Sequence, residues 1–440
     1  MTGAARDAGV AAGAATGEAV PPDPLGFPGY RDQLARARAR TGADESVTCD
    51  RGSFGGVEAV VIAFEFGFMG GSMGAEAGRR IAAALDDGAR ERLPVVSFVA
   101  SGGCRMQEGL AALRRMQAIA AAAARLRTAA LPHVCVVQHP TTGGVWASLA
   151  AGADVVIGVD GATVAFAGSR VRGADQDDDP AFTAAGQLEA GQIDLVVAPD
   201  QVDAALALAL PLLAGGEPSP SPVPVPRALG RTEPAPDGWS AVQRARDPDR
   251  PHAAAYLDDV LGARLELSGD RVGGGRDPGV SCGVGRLGRL GGRAVAFVAQ
   301  HGTATTPAGF RTAARVLRLA GRLGLPVLTL VDTPGAANDA AAERAGIAAA
   351  LSDCFAAVAE SPVPITTLVV GEGGSGGALA LCSRDRLWIA PDAYFAVIAP
   401  ELAAAILKRG PEDAPTTAGQ LELRPQDLVE LGLVDGIAAP

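Results

Sequence analysis

The chain has 440 residues, of which 48% are hydrophobic and 20% are charged. This composition is typical of a folded protein with more than one hydrophobic core and excludes a disordered chain. The formal net charge of −11 disfavours nucleic acid or an anionic membrane as the main partner, although a helix N-terminus can still hold an anionic ligand.

The cysteine pattern and the N-terminus give expectations about metal, compartment and membrane. Six cysteines are widely spaced without a CxxC pair, so we expect neither a zinc site nor a disulfide framework, and a cytoplasmic location is predicted. The N-terminus lacks the basic and apolar regions of a signal peptide. The longest apolar stretches are interrupted by Arg or Gly, which predicts no membrane span.

The first half of the chain alternates apolar strands, glycine-containing loops and helices. Residues 1–25 lack periodicity and are predicted to be a disordered tail. The order of the later elements predicts parallel strands joined by crossover helices, hence an α/β fold. In chain order the predicted elements are a helix at 30–40, a strand at 57–63, a glycine-rich turn at 64–74, a helix at 76–87, a strand at 94–100, a helix at 107–126, a strand at 133–138, a helix within 141–151, and strands at 155–159 and 163–166.

The same order of elements restarts after a proline-rich stretch. Seven prolines lie between Pro218 and Pro236, which predicts a linker. The elements predicted beyond it are a helix at 253–261, a strand at 294–299, a helix at 309–323, a strand at 326–331, a helix at 343–359, a strand at 365–370, a glycine loop at 371–377 and the start of a helix at 378–381.

The two halves match as an internal repeat of about 190 residues, recognised by pattern and not by identity. The strand VVSFVA followed by SGGCR corresponds to VLTLVD followed by TPGAA, and HVCVVQ followed by PTTGGV corresponds to ITTLVV followed by GEGGSGG. We therefore predict a tail at 1–25, an N-terminal domain at 26–214, a proline-rich linker at 215–246 and a C-terminal domain at 247–440.

The glycine loops that follow these strands are the candidate catalytic elements. N–H groups at a helix start have no intrahelical partner, and glycine lets a ligand approach them closely. Two facing loops can direct two N–H donors at one oxygen, as in an oxyanion hole. The alternative is that the glycines only permit tight turns. The predicted donors are Gly102, Gly103, Gly143 and Gly144 in the first half, and Gly335, Ala336, Gly374, Gly376 and Gly377 in the second.

Other motif interpretations do not fit. GEGGSGG is not followed by the Lys and Ser or Thr of a phosphate-binding P-loop, and it lacks the acidic residue that a dinucleotide site requires. Ser101 lies outside a G-x-S-x-G elbow, and the chain has only four histidines, which disfavours a hydrolase with a Ser-His-Asp triad. His139 and His301 flank the loops, and a structural or solvent-facing role is predicted for each.

At these loops the chain resembles the carboxyltransferase of bacterial acetyl-CoA carboxylase. The motifs FMGGSMG (68–74), SGGCRMQEG (101–109), PTTGGVWASLA (140–150) and FAGSRV (166–171) are similar to its beta subunit. The motifs DPDRPH (247–252), VDTPGAAN (331–338), GEGGSGGALAL (371–381) and IAPELAAAIL (398–407) are similar to its alpha subunit. The resemblance implies two crotonase-like (ClpP/crotonase superfamily) β/α superhelical domains in tandem, the first for acyl-CoA and the second for biotin.

The resemblance also implies a reaction, roles and partners. Carboxyl transfer from carboxybiotin to a short acyl-CoA, giving malonyl-CoA or a homologue, needs two stabilised oxyanions and no protein base. Gly102, Gly103, Gly143 and Gly144 would then serve the thioester oxygen, and Gly335, Ala336, Gly374 and Gly376 would bind the urea oxygen of biotin. The implied partners are a separate biotin carboxyl carrier protein, biotin carboxylase and a second copy of the chain, since family active sites form between the N-half of one chain and the C-half of another.

Several departures from the family pattern leave alternatives open. The zinc ribbon of the beta subunit is missing, Cys104 replaces the usual Ala, and the usual Tyr-Pro-Gly turn is replaced by Ala337-Asn338-Asp339. Lys408 lacks the context of a biotin attachment site. The alternatives are a biotin-independent acyl-CoA decarboxylase, another crotonase-type CoA-thioester enzyme, or a non-catalytic subunit of a carboxylase complex.

Overall fold

The computed structural model describes residues 21–168, 179–288 and 292–440, so most of the tail predicted at 1–25 lies outside the described residues. The chain divides into two compact units, Met1–Ala184 and Ala185–Pro440. Residues 185–214, which the sequence assigns to the first domain, therefore belong to the second unit. The physical reason is that the apolar helix at Val202–Leu213 packs against strands of the second unit. Among the described residues, no helix is both long and apolar enough to cross a bilayer.

The first unit contains the predicted alternation of strands and helices. Its elements are α1 (Tyr30–Thr41), β1 (Val47–Phe54), β2 (Val57–Phe64), a 3₁₀ turn (Met69–Gly71), α2 (Ala75–Glu91), β3 (Val95–Ser101), a 3₁₀ turn (Met106–Glu108), α3 (Leu110–Leu113), α4 (Arg115–Thr128), β4 (His133–Thr142), α5 (Gly143–Val145), a π-helical turn (Trp146–Ala150), β5 (Val155–Val159) and β6 (Val164–Ala165), with α6 (Ala184–Glu189) at the boundary.

The sheet of the first unit confirms the predicted parallel strands. Strands β2, β3, β4 and β5 lie side by side and parallel, and β6 pairs with the end of β4. Strand β1 adds antiparallel to β2 and was not predicted, because its mostly polar and exposed residues lack the apolar run of a buried strand. The carboxyl ends of β3 and β4 therefore meet at one edge of the sheet.

Two predicted helices of the first unit differ from the structure. The single helix predicted at 107–126 is divided into α3 and α4, preceded by Gly109 at φ 54°, a left-handed conformation that ends the 3₁₀ turn. The helix predicted within 141–151 begins only at Gly143, because β4 continues to Thr142 and pairs there with β6.

The second unit repeats this arrangement and adds peripheral elements. The elements of the second unit are β7 (Leu195–Val197), α7 (Val202–Leu213), α8 (Gly238–Ala245), α9 (Ala253–Val260), β8 (Leu261–Glu266), β9 (Val280–Leu287), β10 (Ala294–Gln300), α10 (Pro307–Leu323), β11 (Val327–Thr333), α11 (Ala340–Arg344), α12 (Ile347–Ala359), β12 (Ile365–Gly374), α13 (Ser375–Leu379), β13 (Leu387–Ile389), β14 (Tyr394–Ala396), α14 (Pro400–Ile406), α15 (Ala414–Gln420), α16 (Pro425–Glu430) and β15 (Gly436–Ile437).

The sheet of the second unit has the order β15-β13-β12-β11-β10-β9-β8, with β14 beside the end of β12. Strands β10, β11 and β12 are parallel, as predicted. Strand β13, which was not predicted, is parallel to β12, and β9 is antiparallel to both of its neighbours. The β8–β9 pair was not predicted, because Gly, Arg and Ser interrupt its apolar residues. The helix predicted at 343–359 is divided at Gly346, which has φ 77°.

The segment predicted as a linker, 215–246, packs along the second unit. Val223 and Ala228 are fully or almost fully buried in its core. The Thr366 hydroxyl donates to Val223 O at 2.7 Å, and Ala228 N–H donates to Ala439 O at 2.7 Å. Proline removes backbone donors but leaves the intervening apolar side chains free to pack, so the proline count alone does not distinguish a flexible linker from such a packed segment.

The loops after β3 and β4 in the first unit correspond to the loops after β11 and β12 in the second, at a constant offset of 232 residues. Ser101 pairs with Thr141 in the first unit, and Thr333 pairs with Gly373 in the second (333 − 101 and 373 − 141). In each pair the register shifts just before this position. Helices α2 and α10 each have 17 residues and begin 232 positions apart (307 − 75). Structural equivalence between the loops can therefore be assigned residue by residue.

The buried His133 predicts that the stability of the protein depends on pH. His133 is buried at the start of β4 with Nε2 2.7 Å from Ser97 Oγ, and burial lowers its pKa to about 4. The unfolded pKa is about 6.5, so the neutral form stabilises the fold above that pH and this contribution is lost as the pH falls from about 6.5 towards 4. On acidification, the free energy of unfolding of the wild type should therefore fall by about 1–3 kcal/mol more than that of His133→Gln, which lacks the titrating group.

The measurement is urea unfolding of the wild type and of His133→Gln at pH 7.5 and pH 5. The other groups that titrate in this range are common to both proteins, so their effect cancels in the comparison. Equal losses of unfolding free energy in the two proteins would contradict the prediction.

Candidate active site

The predicted loops lie at the carboxyl ends of neighbouring parallel strands in both units. In the first unit they follow β3 and β4, and in the second they follow β11 and β12. Each unit therefore brings two glycine-containing turns together at one edge of its sheet. A backbone N–H in these turns can bind a ligand only if it does not already donate a hydrogen bond within the protein.

A backbone bridge in the first unit holds both neighbours of Cys104. Met73 N–H donates to Gly103 O at 2.8 Å, and Arg105 N–H donates to Met73 O at 2.9 Å. The N–H of Cys104 itself takes part in no hydrogen bond among the described residues. The bridge thus fixes the direction of this N–H without using it.

Two other amides of the same turn are used internally. Gly102 N–H donates to Gly70 O at 2.9 Å, and Gly103 N–H donates to Ser101 Oγ at 3.1 Å. The Ser101 hydroxyl in turn donates to Gly71 O at 2.7 Å. These bonds build the turn, and they leave neither glycine amide available to a ligand.

The facing turn shows the same division between used and unused amides. Gly143 N–H donates to Phe166 O at 3.0 Å. The structure therefore differs from the expectation for Gly102, Gly103 and Gly143, because the N–H of each is consumed by the fold. Gly144, the second residue of α5, keeps its N–H, since the first turn of a helix offers no intrahelical acceptor.

The two turns of the first unit are in close contact. A methyl group built on Gly103 would lie 3.5 Å from Gly143 Cα and 3.9 Å from Gly144 N. A methyl group on Gly144 would lie 2.8 Å from Cys104 Sγ and 2.7 Å from Met116 Sδ, so only glycine fits there without a shift. The unit thus has a first donor pair, the N–H groups of Cys104 and Gly144. Burial raises the pKa of the Cys104 thiol, which makes it a neutral packing group and not a nucleophile.

The second unit reproduces this bridge. Thr305 N–H donates to Gly335 O at 3.0 Å, and Ala337 N–H donates to Thr305 O at 2.9 Å. Gly335 N–H donates to Thr333 Oγ1 at 3.1 Å, so its amide is also consumed. Between these fixed residues Ala336 N–H has no hydrogen-bond partner in the part of the chain that the structure describes.

The second pair is completed by Gly376, the second residue of α13, whose N–H again lies in the first helical turn. Gly377 packs so tightly on the facing turn that a methyl group there would lie 2.2 Å from Ala336 N. A methyl group on Gly374 would lie 2.1 Å from Pro334 O. The predicted residues Gly374 and Gly377 therefore allow the approach of the two turns, while the second donor pair consists of the N–H groups of Ala336 and Gly376.

A buried charge network supports the first donor pair. Arg105, directly after Cys104, is fully buried, with Nη2 2.5 Å from Glu45 Oε1 and Nη1 3.1 Å from Glu108 Oε1. Glu108 also accepts the Tyr30 hydroxyl and, at 2.6 Å, the N–H of Ala75 at the start of α2. Sequence reasoning did not identify this network; the Arg of SGGCR is its visible sign.

A different network supports the second pair. Asp332 precedes Thr333 and is fully buried, and both of its carboxylate oxygens lie 2.7 Å from Arg250 Nη2. The same carboxylate accepts Glu372 N–H at 3.1 Å and lies 3.2 Å from His252 Nδ1. The DPDRPH motif thus ties the end of β11 to the end of β12.

The two histidines beside the loops have structural partners. His139 Nδ1 accepts the N–H of Thr163 at 3.3 Å, and His301 Nε2 lies 2.5 Å from Ser281 Oγ. Burial lowers the pKa of His301. Within residues 21–168, 179–288 and 292–440 no group of three or more His, Cys, Asp or Glu side chains is arranged to hold a metal ion.

Comparison with known proteins places both halves in one class. Residues 23–205 match a family model described as carboxyl transferase domain, and residues 235–439 match one described as acetyl co-enzyme A carboxylase carboxyltransferase-like. A Salinispora tropica protein named acetyl-coenzyme A carboxylase carboxyl transferase subunits beta/alpha is 40% identical over 94% of this chain and 77% of its own length. A probable biotin-dependent acyl-coenzyme A carboxylase beta3 subunit of Mycobacterium bovis is 36% identical over 94% of this chain and 84% of its own.

Solved structures show the same fold at lower identity. The transcarboxylase 12S subunit, solved as a hexamer with hydrolysed methylmalonyl-coenzyme A bound, has a TM-score of 0.74 at 23% identity and covers 90% of this chain and 79% of that one. A single-chain, multi-domain long-chain acyl-CoA carboxylase has a TM-score of 0.72 at 22% identity over 91% of this chain and 41% of that one.

Replacing Arg105 tests whether the buried network holds the first unit together. Arg105→Met leaves Glu45 and Glu108 buried without their cationic partner, which should lower the free energy of unfolding by about 3–5 kcal/mol. The control is Arg125→Met, which removes an exposed ion pair with Asp86 and should leave the stability unchanged within error. Urea unfolding measures both, and an Arg105→Met protein as stable as the wild type would contradict the assignment.

Proposed function

Because the chain belongs to the carboxyltransferase family of the acyl-CoA carboxylases, we propose that its two duplicated N–H pairs stabilise the oxyanions of carboxyl transfer. Carboxyl transfer between biotin and acyl-CoA is the activity of this family, and the chain is an enzyme of this kind. The observation that carries the proposal is the duplication itself: in each unit one bridge leaves one N–H unused opposite the first turn of a short helix.

The first pair, Cys104 and Gly144, is proposed to bind the thioester oxygen of a short acyl-CoA such as acetyl-CoA. Negative charge develops on that oxygen when the α-proton leaves. Donors that are already fixed by the fold stabilise the charge without reorganisation, and the loss of one such donor costs about 10²–10³ in rate. Half of this assignment differs from the sequence expectation, since Cys104 replaces Gly102 and Gly103 as the donor of its turn.

The second pair, Ala336 and Gly376, is proposed to bind the urea oxygen of biotin. When bound, biotin supplies the carboxyl group and accepts the α-proton. The donor set suits a neutral carbonyl oxygen that gains charge, and the space beside Gly376 is open, since a methyl group there would meet no atom within 4 Å. These two amides hold the urea oxygen in place, while Gly374 and Gly377 keep the turns together.

The departure at residues 337–339 supports continued use of biotin. Ala337 N–H still closes the bridge to Thr305 O, and Asp339 caps α11 by accepting Ala342 N–H at 2.8 Å. The replaced turn therefore preserves the free N–H of Ala336. This geometry favours the biotin-dependent carboxyltransferase over a biotin-independent decarboxylase that would keep only the first pair.

We further propose the partners of the reaction. A separate biotin carboxyl carrier protein and a biotin carboxylase would supply the carboxyl group, and a second copy of this chain would complete a homo-oligomer. The support comes from similarity: the relatives are named as carboxylase subunits, and the transcarboxylase 12S subunit is described as a hexamer.

The direct test is an assay with a biotinylated carrier. We expect the purified chain, mixed with biotin carboxylase, carrier, ATP and labelled bicarbonate, to form acid-stable label in malonyl-CoA from acetyl-CoA, and to form none when the carrier is left out. Carrier-independent turnover of malonyl-CoA, with no carrier-dependent transfer, would contradict the proposal and support the decarboxylase.

Substitution of the glycines that set the donors tests the two pairs separately. Gly144→Ala places a methyl group against Cys104 and Met116, and Gly377→Ala places one 2.2 Å from Ala336 N. Gly377→Ala acts directly on a backbone donor and Gly144→Ala acts through the Cys104 side chain, so each should shift one donor and lower kcat/KM for carboxyl transfer, by at most about 10²–10³, the cost of losing a donor outright.

The matched controls are Gly152→Ala in the first unit and Gly419→Ala in the second, because a methyl group at either position meets no atom within 4 Å. Both controls should keep wild-type rates, and circular dichroism should show folded protein for all four variants. Wild-type transfer rates in Gly144→Ala and Gly377→Ala would refute the donor assignment.

A further inference from the structure

Gln300, the last residue of β10, joins the two turns that carry the second donor pair. Its side chain is fully buried. The carboxamide Nε2 donates to Thr305 Oγ1 at 2.9 Å and to Gly377 O at 3.3 Å. Thr305 forms the bridge on either side of Ala336, and Gly377 packs on Ala336 N. One side chain therefore connects the segment that directs Ala336 N–H with the helix start that carries Gly376 N–H.

The duplication shows that the turn does not need this amide. In the register of the parallel strands Ala299 pairs with Leu330, and Ala63 pairs with Phe98. Phe98 and Leu330 correspond at the offset of 232 residues, so Gln300 corresponds in strand register to Phe64, the last residue of β2. The first unit forms the same bridge with an apolar residue at this position and a connection to the bridge that is four residues longer (73 − 64 against 305 − 300), so the amide is a feature of the second unit.

The amide also carries a cost in stability. Gln300 Oε1 is buried and has no hydrogen-bond partner in the part of the chain that the structure describes. A buried carbonyl oxygen without a partner is unfavourable, and an apolar side chain of similar length would avoid that cost. The retained benefit must then come from the two bonds that Nε2 makes.

We propose that Gln300 is a positioning residue that sets the spacing of the Ala336 and Gly376 N–H donors. This inference rests on the proposed function, in which those donors bind the urea oxygen. Gln300 acts through the hydroxyl of Thr305 and the backbone carbonyl of Gly377 and is not proposed to contact the reacting atoms. Misplacement of catalytic groups by about 1 Å costs on the order of 10²-fold in rate, so a change confined to this side chain should be visible in turnover.

The variants are Gln300→Met, which keeps the length and removes the donor, and Thr305→Val, which removes the acceptor. The control is Thr366→Val, which removes another buried hydrogen bond of the same unit, to Val223 O, at the opposite end of the parallel strands. The readouts are kcat, KM for the biotinylated carrier, KM for acetyl-CoA, and hydrogen exchange of the peptides covering 333–340 and 371–380.

For Gln300→Met we expect kcat to fall about 10-fold to 100-fold with KM for acetyl-CoA unchanged and with faster exchange in both peptides. Thr366→Val should keep wild-type kcat and wild-type exchange in these peptides. If both side chains act through one hydrogen bond, Gln300→Met/Thr305→Val should lose no more than the worse single variant.

Wild-type kcat with wild-type exchange in Gln300→Met would overturn the inference, and so would an equal loss of kcat in Thr366→Val. A wild-type protein without carrier-dependent transfer would refute the proposed function instead. In that case the exchange of the two peptides still decides whether Gln300 positions the turns.

Discussion

The architecture of the site depends on one backbone arrangement that occurs twice. A residue of one segment bonds to both neighbours of a turn residue and so leaves the N–H between them unused: Met73 does this around Cys104, and Thr305 does it around Ala336. An N–H held in this way points in a fixed direction and has no hydrogen-bond acceptor among the residues that the structure describes. Such a preorganised donor stabilises developing negative charge most effectively, because it need not reorient during the reaction.

The two units hold this arrangement by different means. In the first unit a buried Arg105 with two glutamates fixes the residue after the donor, and in the second Asp332 with Arg250 joins two strand ends. The backbone bridge, the hydroxyl at the strand end (Ser101 and Thr333) and the glycine at the second position of the short helix (Gly144 and Gly376) are shared. The shared features are therefore those that define the donor, while the supporting side chains have diverged.

The sequence predicts the fold well wherever burial dictates it. Buried parallel strands give continuous apolar runs, so β2 to β5 and β10 to β12 were predicted correctly. The edge strand β1 and the β8–β9 pair were missed because exposure permits polar residues there, and the packed segment at 215–246 was taken for a linker because prolines dominate its composition. The predicted loops do lie at the ends of neighbouring parallel strands, whereas the unused N–H groups within them depend on hydrogen bonds that residue types do not specify. The correspondence of SGGCR with TPGAA, visible in the sequence, does pair Cys104 with Ala336.

The central claim is that the free N–H groups of Cys104 and Gly144 polarise the thioester carbonyl of the bound acyl-CoA. Isotope-edited infrared spectroscopy of acetyl-CoA labelled at the thioester carbonyl measures this polarisation directly. The account predicts a carbonyl stretch at lower frequency in the wild-type complex than in water, and a frequency close to that in water in the Gly144→Ala complex. An unshifted carbonyl in the saturated wild-type complex would contradict it.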